Sequence, residues 1–320
     1  HFSDKEVSPI PFKRIPYKEA MLKYGSDKPD LRNPLLIEDL TTILSKSTFE
    51  PFKTLNIRGI KVDNIDKSNS WYKKIEEYIK SLGATGMSYI KVNEDMTFKS
   101  SIDKFLTDDL RKELIEKCHL NKGSALFILA DNKHKIDKLA GLLRTKLGNE
   151  FDLINKNKFE FCIINDFPMY EYNEEENTWD FGHNPFSMPK GGIEALTKEN
   201  MENVVAHQFD FVCNGYEMAS GAVRNHNIEI MKKAFELAGY TEEDVENKFR
   251  SLYTAFQYGA PPHAGMAPGI DRILMLLQDE ENIREMVAFP LGANGSDQMM
   301  GCPNEVFEKQ LRETHIKIRD

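Results

Sequence analysis

A chain of 320 residues, 40% hydrophobic and 29% charged with a formal net charge of −9, is expected to be globular and long enough for two domains with a sizeable core. No apolar run approaches the roughly 18–20 residues of a membrane span, and no basic stretch followed by an apolar one marks a secretory leader; membrane partners are therefore not expected. The four cysteines, Cys118, Cys162, Cys213 and Cys302, form no C-x-x-C pair, which points away from structural zinc and towards a reducing, cytoplasmic compartment. The chain opens on His1 rather than Met and reads as a piece of a longer protein.

The charge is unevenly divided. Residues 51–150 hold 19 Lys and Arg against 14 Asp and Glu, a net of +5, which leaves −14 for the rest. A mildly basic block suits a polyanion such as nucleic acid, and equally a solvated surface rich in lysine. The spacing predicts a helix over 70–83, capped by Ser70 and closed by Gly83, with Trp71, Ile75, Tyr78, Ile79 and Leu82 on one face. Residues 86–93 alternate as a strand, 102–118 return to helical spacing, 124–131 are a short apolar strand, and 135–148 form a helix ending at Gly148. This succession describes a compact α+β module of about a hundred residues.

Further along, 159–173 and 178–186 read as strands, followed by the stretches 209–226 and 257–277. Strands in close succession with turn residues between them favour an antiparallel sheet. No G-x-G-x-x-G follows a strand and no G-x-x-x-x-G-K-[ST] occurs, so dinucleotide and P-loop sites lack their motifs.

The stretch "FDFVCNGYEMASGAVRNH", residues 209–226, holds Asp210, Glu217 and Arg224 among apolar and small residues. Asn214-Gly215 is a strong signal for a two-residue hairpin turn. That turn pairs Cys213 with Tyr216, Val212 with Glu217 and Asp210 with Ala219, and places Asp210 and Glu217 on one face. Two such carboxylates repel unless a positive group lies between them. A divalent cation with oxygen ligands does this, and magnesium usually arrives with a phosphate substrate; alternatively one acid is protonated, or both face water. Strict alternation puts Arg224 on the opposite face, but a bulge at Gly221 would restore its phase. Its planar fork then suits a carboxylate or phosphate, the other reading being a structural ion pair.

In "GAPPHAGMAPGIDRILMLL", residues 259–277, Gly269 precedes the helical run Ile270, Ile273, Leu274, Leu277. Arg272 then lies in the first helical turn, where a cation opposes the helix dipole unless an anion accompanies it. A phosphate is one such partner; Asp271, Asp279 or Glu280 are others.

"YGSDKPDLR", "GHNPFSMP", "NGYEMASGAVR" and "GAPPHAGMAPGIDR" follow one another in this order. Together they resemble the bacterial-type aspartyl-tRNA synthetases, a class II family, over nearly the whole chain. The resemblance implies an α+β fold: the family's antiparallel sheet with flanking helices, in part, plus an inserted α+β domain of the GAD type. It assigns 1–44 and 151–320 to the catalytic domain and 45–150 to the insertion. It also implies that the N-terminal anticodon-binding barrel and motifs 1 and 2 lie outside this sequence.

By the same resemblance, His183 and Arg224 match residues around bound L-aspartate, Arg224 reading its side-chain carboxylate. Asp210 and Glu217 match the acids that hold Mg2+ and ATP. Gly269, Ile270, Asp271 and Arg272 match the ATP-binding part of motif 3, and Glu217, Arg224 and Arg272 carry the catalysis. Asn184 stands where many members have histidine and Ala219 where many have glycine; the Ala219 methyl is expected beside the pocket floor. The implied reaction activates aspartate with ATP and transfers it to tRNA-Asp, with tRNA-Asn left open, in a homodimeric parent enzyme. Positioning and charge neutralisation would carry it. The isolated chain is expected to be inactive. Two other classes compete: a non-catalytic tRNA-binding or amidotransferase-associated module, which would not need the ATP residues, and an asparagine- or lysine-type synthetase, which the large insertion disfavours.

Overall fold

The computed structural model describes residues 2–173 and 176–319. Residues 5–268 form one compact unit, and residue 269 onward, with the first few residues, forms another. In the larger unit, β1 (Glu6–Val7) and β2 (Lys13–Pro16) lead into helix α1 (Tyr17–Tyr24). Gly25 ends α1 at φ 68°, its N–H donating to the Met21 carbonyl, a left-handed cap that glycine adopts without a Cβ clash.

An inserted layer follows: β3 (Ile37–Asp39), the one-turn helices α2 (Thr41–Leu44) and α3 (Pro51–Thr54), β4 (Asn56–Val62), α4 (Asn69–Ser81), β5 (Met87–Val92), β6 (Phe98–Lys99), α5 (Asp108–Cys118), β7 (Ala125–Asp131) and α6 (Lys133–Glu150). Its sheet has the order β3-β4-β7-β5-β6 and is antiparallel throughout. Ala125, Phe127 and Leu129 of β7 join the core with residues of α4 and α6, whereas Leu126 and Ile128 join the core with residues of α5. Burial on both faces is why this strand reads as a continuous apolar run.

Local details depart from the sequence pattern. Ser68, not Ser70, caps α4 by accepting from the Trp71 N–H; the Ser70 hydroxyl is bonded to Ser68. The buried face of α4 is Tyr72, Ile75 and Ile79, and Leu82 is exposed. Helix α5 starts at Asp108 because the Thr107 hydroxyl accepts from the Leu110 N–H, and 103–105 form a separate 3-10 turn. Helix α6 passes through Gly148 instead of ending there. Gly148 serves close packing: a Cβ on it would lie 2.3 Å from Asn33 Nδ2. The inserted sheet also begins ahead of residue 45, with β3, and its core includes Leu35.

The insertion is fastened to α1. A Cβ on Gly141 of α6 would lie 2.4 Å from the Gly25 carbonyl oxygen. Arg144, one helical turn on and 2% exposed, donates from Nε to the Leu35 carbonyl (2.6 Å) and from Nη2 to those of Asn33 (2.6 Å) and Asp30 (3.0 Å). Its guanidinium lies 5.1 Å from the Tyr24 ring centroid. Burial lowers its pKa to about 10, against the opposing pull of Asp30, so it stays charged at neutral pH. Gly141→Ala is expected to lower unfolding stability by about 1–3 kcal/mol, as overpacking does, read as a lower urea midpoint at unchanged slope.

After the insertion come β8 (Lys158–Phe159), β9 (Phe161–Pro168), the hairpin β10 (Tyr170–Asn173) and β11 (Thr178–Phe181), then β12 (Val205–Cys213), β13 (Tyr216–Val223), helices α7 (Ile228–Leu237), α8 (Glu242–Lys248) and α9 (Arg250–Gln257), and β14 (Ala264–Pro268). The second five-stranded sheet runs β14-β13-β12-β9-β2. It is antiparallel except for β2 and β9, which pair in parallel. A parallel pair needs a long crossover, and the insertion lies within it. Ile15, Ala20, Tyr24, Ile164, Phe167 and Val212 form the core between α1 and this sheet. The smaller unit contains α10 (Ile270–Leu277) and α11 (Glu308–Glu313), with Met275 buried. Among the described residues no helix is long and apolar enough to cross a membrane.

Candidate active site

The β12–β13 turn sets the geometry. Asn214 and Gly215 have φ of 53° and 89°, the pair of positive values a type I′ turn needs. The Asn214 side chain pins the turn to the start of β9, accepting from the Glu160 N–H and donating to the Lys158 carbonyl. Cys213 pairs with Tyr216 and Val212 with Glu217, as the turn predicts. Phe211 then pairs with Ala219, so Met218 is an extra residue and Asp210 faces Ser220 rather than Ala219. The phase-restoring bulge is therefore at Met218, not Gly221. Gly221 serves close approach instead: a Cβ there would meet Phe209 at 2.5 Å and the Gly265 carbonyl at 2.7 Å.

The bulge brings Glu217, Ser220, Ala222 and Arg224 to the wall of one cavity of about 630 Å³, which Asp210 and His183 also line. Ala219 is buried, pairs with Phe211 and Pro268, and does not line the cavity; the expectation of its methyl at the pocket floor is corrected by the same phase change. Asn184 does line it, and its Oδ1 accepts from the Phe186 N–H at 2.8 Å. Asn184 thus shapes the turn that carries Phe186.

Arg224 is held at both ends. Its backbone N–H donates to the His263 carbonyl at 2.9 Å, and its guanidinium lies 5.5 Å from the Phe186 ring centroid. Among the described residues it has no ion pair. A half-buried guanidinium on a cavity wall without an acidic partner has the chemistry to pair with an anion. The His183 ring meets Phe167 edge-on at 5.0 Å between centroids.

The positive group between the two acids is Lys28. Its Nζ lies 3.4 Å from Asp210 Oδ2 and 3.5 Å from Glu217 Oε2, and 2.5 Å from Asp27 Oδ2. Sequence reasoning did not single out Lys28; the only signal was its place inside "YGSDKPDLR". Burial raises the Asp210 pKa above the usual carboxylate value, outweighing the opposite pull of Ser220 and Lys28. Its Oδ1 is buried and makes no hydrogen bond. Such an orphaned oxygen fits a cation ligand. Among the described residues no group of three or more His, Cys, Asp or Glu could hold a metal. A cation here would thus take two carboxylates at most and draw its other oxygens from substrate or water, the usual habit of Mg2+.

A raised native pKa means that the native state holds the Asp210 proton more tightly than the unfolded chain. The associated stability is present below the unfolded pKa and lost as pH rises through the native one. Asp210→Asn is therefore expected to raise the urea midpoint relative to wild type near pH 7.5, and to lose that advantage near pH 3.5. Equal differences at the two pH values would contradict it.

The Arg272 segment lies in the other unit. Gly269 is the N-cap residue of α10, with no side chain to offer, and Arg272 falls in its first turn.

Residues 2–293 match the family profile of the class II tRNA synthetases (D, K and N); the chain belongs to that family. It is 48% identical over 327 residues to an aspartate–tRNA(Asp/Asn) ligase of Rickettsia bellii, covering 99% of this chain and 54% of that protein. It is 46% identical over 323 residues to the ligase of the same name from Ehrlichia chaffeensis, covering 99% and 55%. The chain thus spans about half the length of the curated relatives it matches. An aspartyl tRNA synthetase structure from Entamoeba histolytica shares 18% identity over 74% of this chain and 43% of that one, with a TM-score of 0.32.

Proposed function

We propose that this chain carries the amino-acid pocket and the motif 3 portion of an aspartate–tRNA ligase that works in the cytoplasm as a homodimer. The observation that carries the reading is Arg224, half-buried on the wall of the cavity that Asp210 and Glu217 also line, without an ion pair among the described residues. One anion reader and two acids in a single cavity suit a substrate with carboxylates and an ammonium. Arg224 takes the side-chain carboxylate of L-aspartate, and His183 borders the amino acid.

In the first step an oxygen of the aspartate α-carboxylate attacks the α-phosphorus of ATP. The bond to pyrophosphate breaks, leaving aspartyl-adenylate. In the second, a hydroxyl of the terminal tRNA adenosine attacks the activated carbonyl carbon and AMP departs. Asp210 and Glu217 would hold Mg2+, which when bound supplies charge neutralisation for the phosphates. Gly269, Ile270 and Asp271 form the ATP-binding stretch, with Arg272 for a phosphate of ATP.

The test is pyrophosphate exchange by a protein of the relatives' full length, with aspartate, asparagine and lysine offered separately. Exchange driven by aspartate alone is expected; exchange with another of the three, and none with aspartate, overturns the reading. Charging of purified tRNA-Asp and tRNA-Asn in parallel decides whether the second is also a substrate. A purely tRNA-binding module would show no exchange at all.

A further inference from the structure

We propose that Lys28 is a resident counter-ion of the Asp210–Glu217 pair and sets how tightly a divalent cation binds there. The inference rests on the functional reading above, since it concerns the same pocket.

The distances carry it. Charge-assisted N–H···O bonds run about 2.7–2.9 Å. Lys28 Nζ is 2.5 Å from Asp27 but 3.4 and 3.5 Å from the two pocket acids. Asp27 is thus its close partner, and Asp27 does not line the cavity. The ammonium neutralises the pocket pair at longer range and leaves Asp210 Oδ1 without a hydrogen bond. This oxygen is the one an entering cation meets first, before Lys28 gives up the other side.

The backbone beneath Lys28 is well held. The Lys28 N–H donates to Ser26 Oγ, and the segment just beyond is bonded to Arg144. Exchange of one cation for another therefore falls to the flexible lysine stem, with Asp27 as the place of retreat. The device keeps two acids from facing each other bare before substrate arrives, and makes the metal's entry depend on displacing a charge already present.

The experiment is Mn2+ binding to this 320-residue chain, followed by electron paramagnetic resonance and titration calorimetry at pH 7.5 and low salt. Lys28→Met is expected to bind Mn2+ at least about tenfold more tightly. Unit charges about 4 Å apart near a protein surface interact by far more than that, and the stem's mobility discounts it. Lys28→Arg keeps the charge and is expected to stay within about threefold of wild type.

Equal affinity in wild type and Lys28→Met would overturn the role of Lys28 while leaving the carboxylates as metal ligands. Absence of Mn2+ binding in wild type and all variants would remove the metal reading itself, and Lys28's role with it. Should Lys28→Met fail to fold, Asp27→Asn gives an independent arm. Removing the place of retreat leaves the ammonium on the pocket acids and is expected to weaken Mn2+ binding; unchanged or tighter binding overturns the proposal.

Discussion

Arg224→Ala, made in a protein of the relatives' full length, is expected to raise the aspartate concentration for half-maximal pyrophosphate exchange by about 10²–10³-fold. The change leaves a substrate carboxylate unpaired in a partly desolvated pocket, a loss of about 2–5 kcal/mol. The ATP dependence should change little, because Arg224 stands with the amino-acid residues. Arg224→Lys should recover only part of the loss. Lysine lacks the planar fork that can both stack on Phe186 and grip two oxygens. Arg272→Ala should do the converse, impairing ATP use and sparing aspartate. An Arg224→Ala enzyme with unchanged aspartate dependence would contradict the assignment.

Arg144→Met is expected to give the largest loss of stability, about 3–5 kcal/mol by urea denaturation. Three backbone carbonyls, of Asp30, Asn33 and Leu35, accept from this one guanidinium. An unsatisfied buried acceptor costs about 1–3 kcal/mol, and relief from burying the charge offsets part of the sum. Methionine preserves some packing against Tyr24, so the loss reports on hydrogen bonding more than on volume. A loss below about 1 kcal/mol would mean that water reaches these carbonyls and the segment is not locked.

The hairpin was legible because Asn-Gly has few conformational alternatives. Its register near the turn followed by counting. The bulge was legible in kind but not in place: Gly221 looks like the weak point of β13, yet the extra residue is Met218, since register depends on both neighbouring strands. Capping was misread at Ser70 because Ser68 and Ser70 are equivalent by residue type. Lys28 escaped notice for another reason. Its partners Asp210 and Glu217 lie far along the chain, and only the folding of α1 against β9 and β12 brings them together. Long-range pairing leaves no periodic trace. The same holds for β3, which is too short to show alternation and belongs to the inserted sheet only through its pairing with β4.

The joint between α1 and α6 limits what can be exchanged between relatives. A module bordered by flexible linkers can be replaced as a cassette. Here Gly25 and Gly141 are in near backbone contact, Gly148 admits Asn33, and Arg144 supplies donors to the segment after Lys28. A chimera that imports residues 45–150 from another protein therefore inherits the clamp only if it keeps glycine, arginine and glycine at those three helix positions, and if the host retains Gly25 and Asn33. A shortened chain that closes the gap with a loop loses every one of these contacts. The ammonium facing Asp210 would then be carried by a segment whose carbonyls must find other donors, so the damage from trimming one layer would be felt in the pocket of the next.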